Sequence, residues 1–207
     1  NGELISADSR QVYKGMDIAT WKITKREMRG IPHYLLDVAS PKRRFTVIQY
    51  RKLARRAINR IIKKGKIPFL AGGTGFYIQA VLDGIVIPEV GPDWKLRKKL
   101  ERKSAEDLFR ILRKLDPTRA KNIERKNKRR LIRAIEIVKK TGKPVPQLQK
   151  ISLNLETIML GIKKSPAELK RLIKKHLLRR LKSGMVDEVK KLMKSGLSWR
   201  RLEEFGL

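Results

Sequence analysis

Two short apolar runs, Glu3-Leu-Ile-Ser-Ala7 and Ile67-Pro-Phe-Leu-Ala71, bracket a long helical pattern, and this arrangement does most to constrain the fold. The first run is too short for a helix and reads as a buried strand, and the second reads as a strand. Between them, Thr46 caps a helix that continues through Lys64 and stops at Gly65. Val47, Tyr50, Leu53, Ala54, Ala57, Ile58, Ile61 and Ile62 recur at helical spacing, while Arg51, Lys52, Arg55, Arg56 and Arg60 occupy the other face. A strand, a crossover helix and a second strand imply a parallel sheet of the α/β kind.

Ligands of open α/β sheets collect at the carboxyl ends of the strands. The first strand runs into Asp8-Ser-Arg-Gln11, a carboxylate set among hydroxyl and amide side chains. The second runs into Gly72-Gly-Thr-Gly75, which opens a helix at Phe76 and so presents backbone N–H groups and a hydroxyl to an anion. Read alone, an Asp-Ser pair is a turn, and such a Gly-rich stretch is a tight connection. Phe76 reads as a core aromatic.

From about Gly91 the pattern becomes helical: Asp93 to Arg102, then Ser104 to Leu115 with a capping box from Ser104 to Asp107. Leu108, Ile111, Leu112 and Leu115 form the apolar stripe of the latter, Asp116-Pro117 breaks it, and Asn127 to Lys140 resumes. There Leu131, Ile132, Ile135 and Val138 face inward and Gly142 is the stop. A strand is expected to return at Glu156-Thr-Ile-Met-Leu-Gly-Ile162, followed by helices from Pro166 to Lys182 and from Met185 to Lys194.

Charge narrows the partner. The 52 Lys and Arg residues exceed the 20 Asp and Glu by 32, an imbalance that attracts a polyanion, and nucleic acid is the natural one. The cations are spread over many helices rather than gathered on one amphipathic anchor, so membrane attachment is not expected. With 0 Cys and 2 His, disulfides, thiolate metal sites and His-based zinc sites fall away, and a cytoplasmic location is expected.

The ordered set Ile5-Ser-Ala-Asp-Ser-Arg-Gln-Val-Tyr-Lys-Gly-Met-Asp17, Ala71-Gly-Gly-Thr-Gly-Phe-Tyr77 and Asn127-Lys-Arg-Arg-Leu-Ile-Arg-Ala-Ile-Glu136 resembles the tRNA dimethylallyltransferases, or isopentenyl-tRNA transferases. The likeness extends through Asp17-Ile-Ala-Thr-Trp-Lys22, Gly30-Ile-Pro-His-Tyr-Leu-Leu-Asp37, Thr141-Gly-Lys-Pro144 and Gly184-Met-Val-Asp-Glu-Val189. It implies a P-loop NTPase-like parallel-sheet core, residues 1–90 and 152–207, with an inserted all-helical tRNA-binding domain over 91–151. It also implies transfer of a dimethylallyl group from dimethylallyl diphosphate to N6 of the adenosine 3′ of the anticodon, position 37, in tRNAs reading codons that begin with U.

By the same resemblance, Asp8 is the general base and Thr74 its catalytic companion near the leaving diphosphate. Asp8, Ser9, Arg10, Gln11, Arg97, Arg129, Arg130, Leu131, Ile132 and Arg133 fall at positions that contact tRNA, while His33, Gly73 and Thr74 fall near the diphosphate. Mg²⁺ is the implied cofactor, with no ligands of its own expected within this stretch. The anticodon stem-loop is the implied partner, and a monomer is expected. The family begins with a strand and a Gly-x-x-x-x-Gly-Lys-Thr loop; none occurs here, so that loop is expected upstream of Asn1 and the stretch is expected to be impaired on its own.

Two departures stand out. Ala19 replaces a usual Gly, and Leu172 and His176 stand where many members carry Arg, leaving Arg171, Lys174, Lys175, Arg179 and Arg180 to make a phosphate contact. The residues alone also leave open a P-loop small-molecule kinase, or a non-catalytic basic RNA-binding fragment.

Overall fold

The computed structural model describes residues 1–84, 90–146 and 155–207. Two compact units are distinguished, Asn1–Gly84 with Ser152–Leu207, and Ile85–Ile151. The boundaries expected near residues 90 and 151 fall beside or within 85–89 and 147–154, outside the described residues.

In the first unit, strand β1 (Gly2–Ser6) lies between β2 (His33–Tyr34) and β3 (Ile67–Ala71), all parallel. Gly2 to Ser6 pair residue for residue with Ile67 to Ala71. The crossover is helix α1 (Val47–Lys63). Thr46 opens it with a reciprocal capping box, its hydroxyl accepting the Gln49 N–H while the Gln49 side chain accepts the Thr46 N–H. Two N–H groups that have no partner inside the helix are thereby satisfied.

Tyr50, Ala54, Ala57, Ile58 and Ile61 are buried against Ile5, Val12 and Met16 from the sheet side. Ile62, expected in that stripe, is exposed, because one residue beyond Ile61 it has turned about 100° round the helix. Within β1, Glu3 is buried and takes hydrogen bonds from Lys66, Tyr34 and Lys64. The bonds from Lys66 and Tyr34, against the opposing effect of burial and with Lys64 adding, hold its carboxyl down at about 2.

The strand expected at Ile67–Ala71 is present as β3; Ile67, Phe69 and Ala71 are exposed and only Pro68 and Leu70 are half-buried, so it is an edge strand among the described strands. One expectation about strands needs correction. The stretch 156–162 forms no strand, and Ile162 is 94% exposed. Apolar character makes a segment fit for a sheet, but a strand exists only where a neighbour completes its ladder. None of the described residues does so for 156–162.

Beyond it run α7 (Pro166–Lys182), α8 (Met185–Lys194) and α9 (Trp199–Phe205). Leu192, Leu202 and Phe205 join the core around Ile5. Arg201 ties α9 to the loop before α1, donating to the carbonyls of Pro41 and Arg43 while its guanidinium lies 4.2 Å from the centre of the Phe205 ring.

The second unit is built from α3 (Trp94–Glu101), α4 (Ala105–Leu115), α5 (Pro117–Lys121) and α6 (Lys128–Thr141). Asp93, Ser104, Asp116 and Asn127 cap them in turn, each accepting a backbone N–H three residues on. Asp116-Pro117 does break α4, but it also starts α5, because a capping carboxylate followed by Pro at the first helical position is a helix start. Leu108, Leu112, Leu131 and Ile135 form the core, whereas Leu115 is exposed at the end of its stripe. Among the described residues no helix is long and apolar enough to cross a membrane.

Candidate active site

β1 ends at Ser6 and the chain turns at Asp8, whose Oδ1 accepts the N–H groups of Arg10 at 2.7 Å and Gln11 at 3.2 Å. The carboxylate is thus oriented by the backbone of its own turn. Beside it, the turn after β3 comes in close: the Ala7 N–H donates to the Ala71 carbonyl at 2.7 Å and the Thr74 N–H to the Ala7 carbonyl at 3.1 Å. Only glycine permits this at position 72, where a Cβ would lie 2.4 Å from the Ala7 carbonyl carbon.

That approach brings Thr74, at the start of α2 (Gly75–Leu82), against the Asp8 turn. Its Oγ1 accepts the Ser9 N–H at 3.0 Å and donates to the Ser9 hydroxyl at 3.3 Å. Beneath lie Tyr50 and Tyr77, ring centres 3.9 Å apart, and burial pushes both phenols up from their usual pKa. Phe76, read as core, is 51% exposed; Tyr77 takes the inward place.

Gln11 turns inward to its own fold rather than outward to a base. Its Oε1 accepts the Ser6 hydroxyl and its Nε2 points to the carbonyls of Thr20 and Trp21. The loop it touches is anchored twice more. Glu188 of α8 accepts three successive N–H groups, from Asp17, Ile18 and Ala19, at 2.8–2.9 Å. Lys22 buries its ammonium among Asp17, Asp37 and the Tyr13 carbonyl. Trp21 adopts a left-handed φ of 53° and stacks on His176 with ring centres 5.0 Å apart.

A cavity of about 330 Å³ opens at this edge, lined by Asp8, Arg10, Thr20 and Arg180, with Leu177 and Phe205 among its apolar walls. Of the five α7 cations left open by the sequence, Arg180 alone lines it; Arg179 lies over the Trp21 ring. His33 is not gathered here: it pairs with Leu4, two residues or about 7 Å before the end of β1, with Nδ1 2.7 Å from the Ile31 carbonyl. Gly73 is exposed on the turn beside Thr74.

In the second unit, Glu136 is 0% exposed and is the centre of a charge cluster. Arg97 grips it with both Nε and Nη2, at 2.7 and 2.6 Å, Arg133 reaches it at 2.5 Å, and the Asp93 N–H donates at 2.6 Å. Burial alone would raise its pKa; the bonds from Arg97, Asp93 and Arg133 outweigh that and lower it to about 2. Arg97 and Arg133 are therefore built into the fold, while Arg129 and Arg130 are exposed. Leu131 and Ile132, assigned to tRNA contact by resemblance, are 0% and 6% exposed core residues; helical periodicity, which turned them inward, was the better guide.

Glu136, Glu188 and Lys22 received no role from sequence reasoning. A signal existed for Glu136, an acid on the apolar stripe of a strongly basic helix. None existed for Glu188, whose partners lie up to 171 residues away, or for Lys22, whose partners lie 5 to 15 residues away in an irregular loop.

A parallel sheet that gathers a carboxylate and hydroxyls past two strand ends defines an α/β ligand-binding protein, here of the P-loop type. The IPP transferase family pattern matches residues 11–205, and the chain belongs to that family. A tRNA dimethylallyltransferase of Pelotomaculum thermopropionicum is 38% identical over 207 residues, covering 96% of this chain and 65% of that protein. The full-length tRNA isopentenylpyrophosphate transferase of Bacillus halodurans superposes with a TM-score of 0.63 at 39% identity, over 96% of this chain and 64% of that one. A eukaryotic dimethylallyltransferase acting on tRNA gives 0.76 at 30% identity, over 94% of this chain and 50% of its own. The chain thus spans about 65% of the length of the curated relatives it matches.

Proposed function

We propose that the protein to which this chain belongs transfers a dimethylallyl group from dimethylallyl diphosphate to N6 of the adenosine at position 37 of tRNAs reading codons that begin with U. The observation that carries this reading is the Asp8 carboxylate, oriented by two N–H groups of its own turn beside the Ser9–Thr74 hydroxyl pair. The family's relatives, named as tRNA dimethylallyltransferases, add to it.

The N6 amine is a poor nucleophile because its lone pair is delocalised into the ring. Asp8, at about 3 Å from it, would accept its proton as the N–C bond forms. The C–O bond of the donor breaks as that bond forms, and its electron pair leaves with the diphosphate. Thr74 would donate to the charge that develops there, with the N–H groups of the Gly73 turn around it.

Ser9 and Arg10 would meet the RNA at the lip of the site. On the helical unit, Arg129 and Arg130 would contact phosphates, while Arg97 and Arg133 bring a cluster charge of +1 shared with Glu136. Mg²⁺ is proposed to arrive with the diphosphate; the described residues bring together no group of three His, Asp or Glu that would hold it, so no step is routed through it. The enzyme is read as a cytoplasmic monomer acting on the anticodon stem-loop.

The test is single-turnover transfer by the full-length protein from labelled dimethylallyl diphosphate to an anticodon stem-loop. Asp8→Asn keeps the shape and removes the basic oxygen, so transfer is expected to fall about 10²- to 10⁴-fold while stem-loop affinity holds. A variant within about threefold of the parent would reduce Asp8 to a turn residue.

A further inference from the structure

We infer that Arg180 is the cation that receives the diphosphate of the donor substrate in this protein, an inference that rests on the transfer reading above. The cavity beside Asp8 is lined by polar groups, Arg10, Thr20 and Arg180 among them, and by the apolar side chains of Leu177 and Phe205. A compact anion joined to a short hydrocarbon matches both.

Arg180 is anchored but incompletely used. One Nη donates to the Ala19 carbonyl at 2.8 Å, whereas Nε is buried and has no hydrogen-bond partner among the described residues. A buried N–H on a charged group without an acceptor is rare enough to require a reason. An anionic oxygen would complete it, since a guanidinium presents paired N–H groups that match phosphate oxygens. Two guanidiniums and one carboxylate leave the charged lining at +1, and the Asp8 Oδ1 is already held by backbone N–H groups.

Its neighbours on α7 are otherwise placed: Arg171, Lys174 and Lys175 are exposed, and Arg179 lies 5.7 Å from the Trp21 ring centre. Arg180 shares a face with Leu177, three residues earlier, and both enter the cavity wall. An RNA phosphate would meet the same guanidinium, but it has no use for the apolar residues of the lining. In the transfer, the N6–C bond forms, the C–O bond breaks, the N6 proton goes to Asp8, and the electron pair leaves on the diphosphate. Arg180 donates to the diphosphate as that negative charge grows.

Calorimetry on the full-length protein, with inorganic diphosphate and with the unreactive thio analogue of dimethylallyl diphosphate, tests this. The variants are Arg180→Gln, Arg180→Lys and Lys182→Gln, the last removing the same charge from an exposed position on the same helix. Arg180→Gln is expected to weaken both ligands about 10- to 100-fold, the loss typical of charged hydrogen bonds, and to raise KM for dimethylallyl diphosphate with stem-loop affinity unchanged. Lys182→Gln should stay within about twofold, as a screened surface charge does.

Equal losses for Arg180→Gln and Lys182→Gln overturn the inference, as does a fall in stem-loop affinity with diphosphate binding intact, which makes Arg180 an RNA-phosphate contact. Gln retains a donor for the Ala19 carbonyl, and thermal melts accompany each titration. If Arg180→Gln fails to fold, Arg180→Lys decides: weaker diphosphate binding at an unchanged melting temperature supports the inference, and unchanged binding overturns it. Diphosphate binding that depends on Arg180 in a protein that transfers nothing to RNA refutes the proposed function and leaves the site standing. Normal transfer by Arg180→Gln at an unchanged KM does the reverse.

Discussion

Glu136→Gln removes the negative charge from the middle of the helical unit while keeping the shape of the side chain. The parent carboxylate is fully buried and takes a bidentate grip from Arg97, a bond from Arg133 and one from the Asp93 N–H. A Gln oxygen can satisfy at most part of this, and its NH₂ group points a donor at guanidiniums that have only donors. Removing one partner of a buried ion cluster typically costs about 3–5 kcal/mol, a large share of the roughly 5–15 kcal/mol that stabilises a domain. Urea unfolding followed by helical circular dichroism measures it.

The pH dependence supplies a second check on the same pair of proteins. The folded carboxyl is lowered to about 2 from 4.5, so its contribution is complete above the unfolded value and is lost as pH falls through the folded one. The gap between parent and Gln variant should be constant from pH 7 to about 5 and should have lost about half of its pH-dependent part by pH 3. The lowered carboxyl of Glu3 is common to both proteins and cancels in the difference. A gap below about 1 kcal/mol at pH 7, or one that is the same at pH 3, would refute the assignment of Glu136 as the ionised centre of the unit.

Three further outcomes are expected. Gly72→Ala should destabilise the fold by about 1–3 kcal/mol in thermal melts, since its Cβ would press on the Ala7 backbone, and should slow transfer by moving Thr74 off Ser9. Leu131→Ala should cost about 2–5 kcal/mol in urea unfolding without altering the salt dependence of stem-loop binding, whereas Arg130→Ala should do the opposite, lowering the log-log slope by about 0.7. Lys22→Met should speed proteolysis within residues 13–39, because Asp17, Asp37 and the Tyr13 carbonyl lose the one ammonium that they share; an unchanged cleavage pattern would show the loop to be held by Glu188 and Gln11 instead.

What was readable in the sequence was local. The Thr46 cap, the stop at Gly142 and the stripe of α6 each depend on residues a few positions apart, and each was recovered. The Asp8 and Thr74 turns were also legible, because strand ends and glycines announce themselves. The failures came where a residue's state depends on something distant. The stretch 156–162 had strand-like apolarity, but pairing is a property of two segments. Gln11 falls at a tRNA-contact position by resemblance, yet its amide reaches the carbonyls of Thr20 and Trp21, nine and ten residues on, in a loop whose shape is imposed by Glu188 from the far end of the chain. Family likeness pointed to a stretch of α6 as a whole; only periodicity separated its buried Leu131 from its exposed Arg130.

The charge excess of +32 itself divides in the same way. Several carboxylates each serve two cations: Glu3 holds Lys64 and Lys66, Glu136 holds Arg97 and Arg133, and Glu204 holds Arg44 and Arg201. Each such cluster fixes its cations in place for the fold and still carries +1, so the acids organise the positive field without cancelling it. An isolated buried guanidinium would be costly, but one shared carboxylate makes two of them tolerable. Arg180 is built differently: its hydrogen bond goes to a carbonyl, which orients the group and leaves its full charge toward the cavity. A cation that the fold needs is given a carboxylate, and one meant for an anionic ligand is given a neutral anchor, because a resident carboxylate would compete with the ligand for the same N–H groups. On that logic, supplying an acid to Arg180 should abolish its function more completely than removing a surface lysine: Ala19→Asp, which brings a carboxylate beside the guanidinium, is expected to weaken inorganic diphosphate binding at least tenfold by calorimetry, the loss of one charged hydrogen bond, and an affinity equal to the parent's would show that the cavity draws its anion by its general field alone.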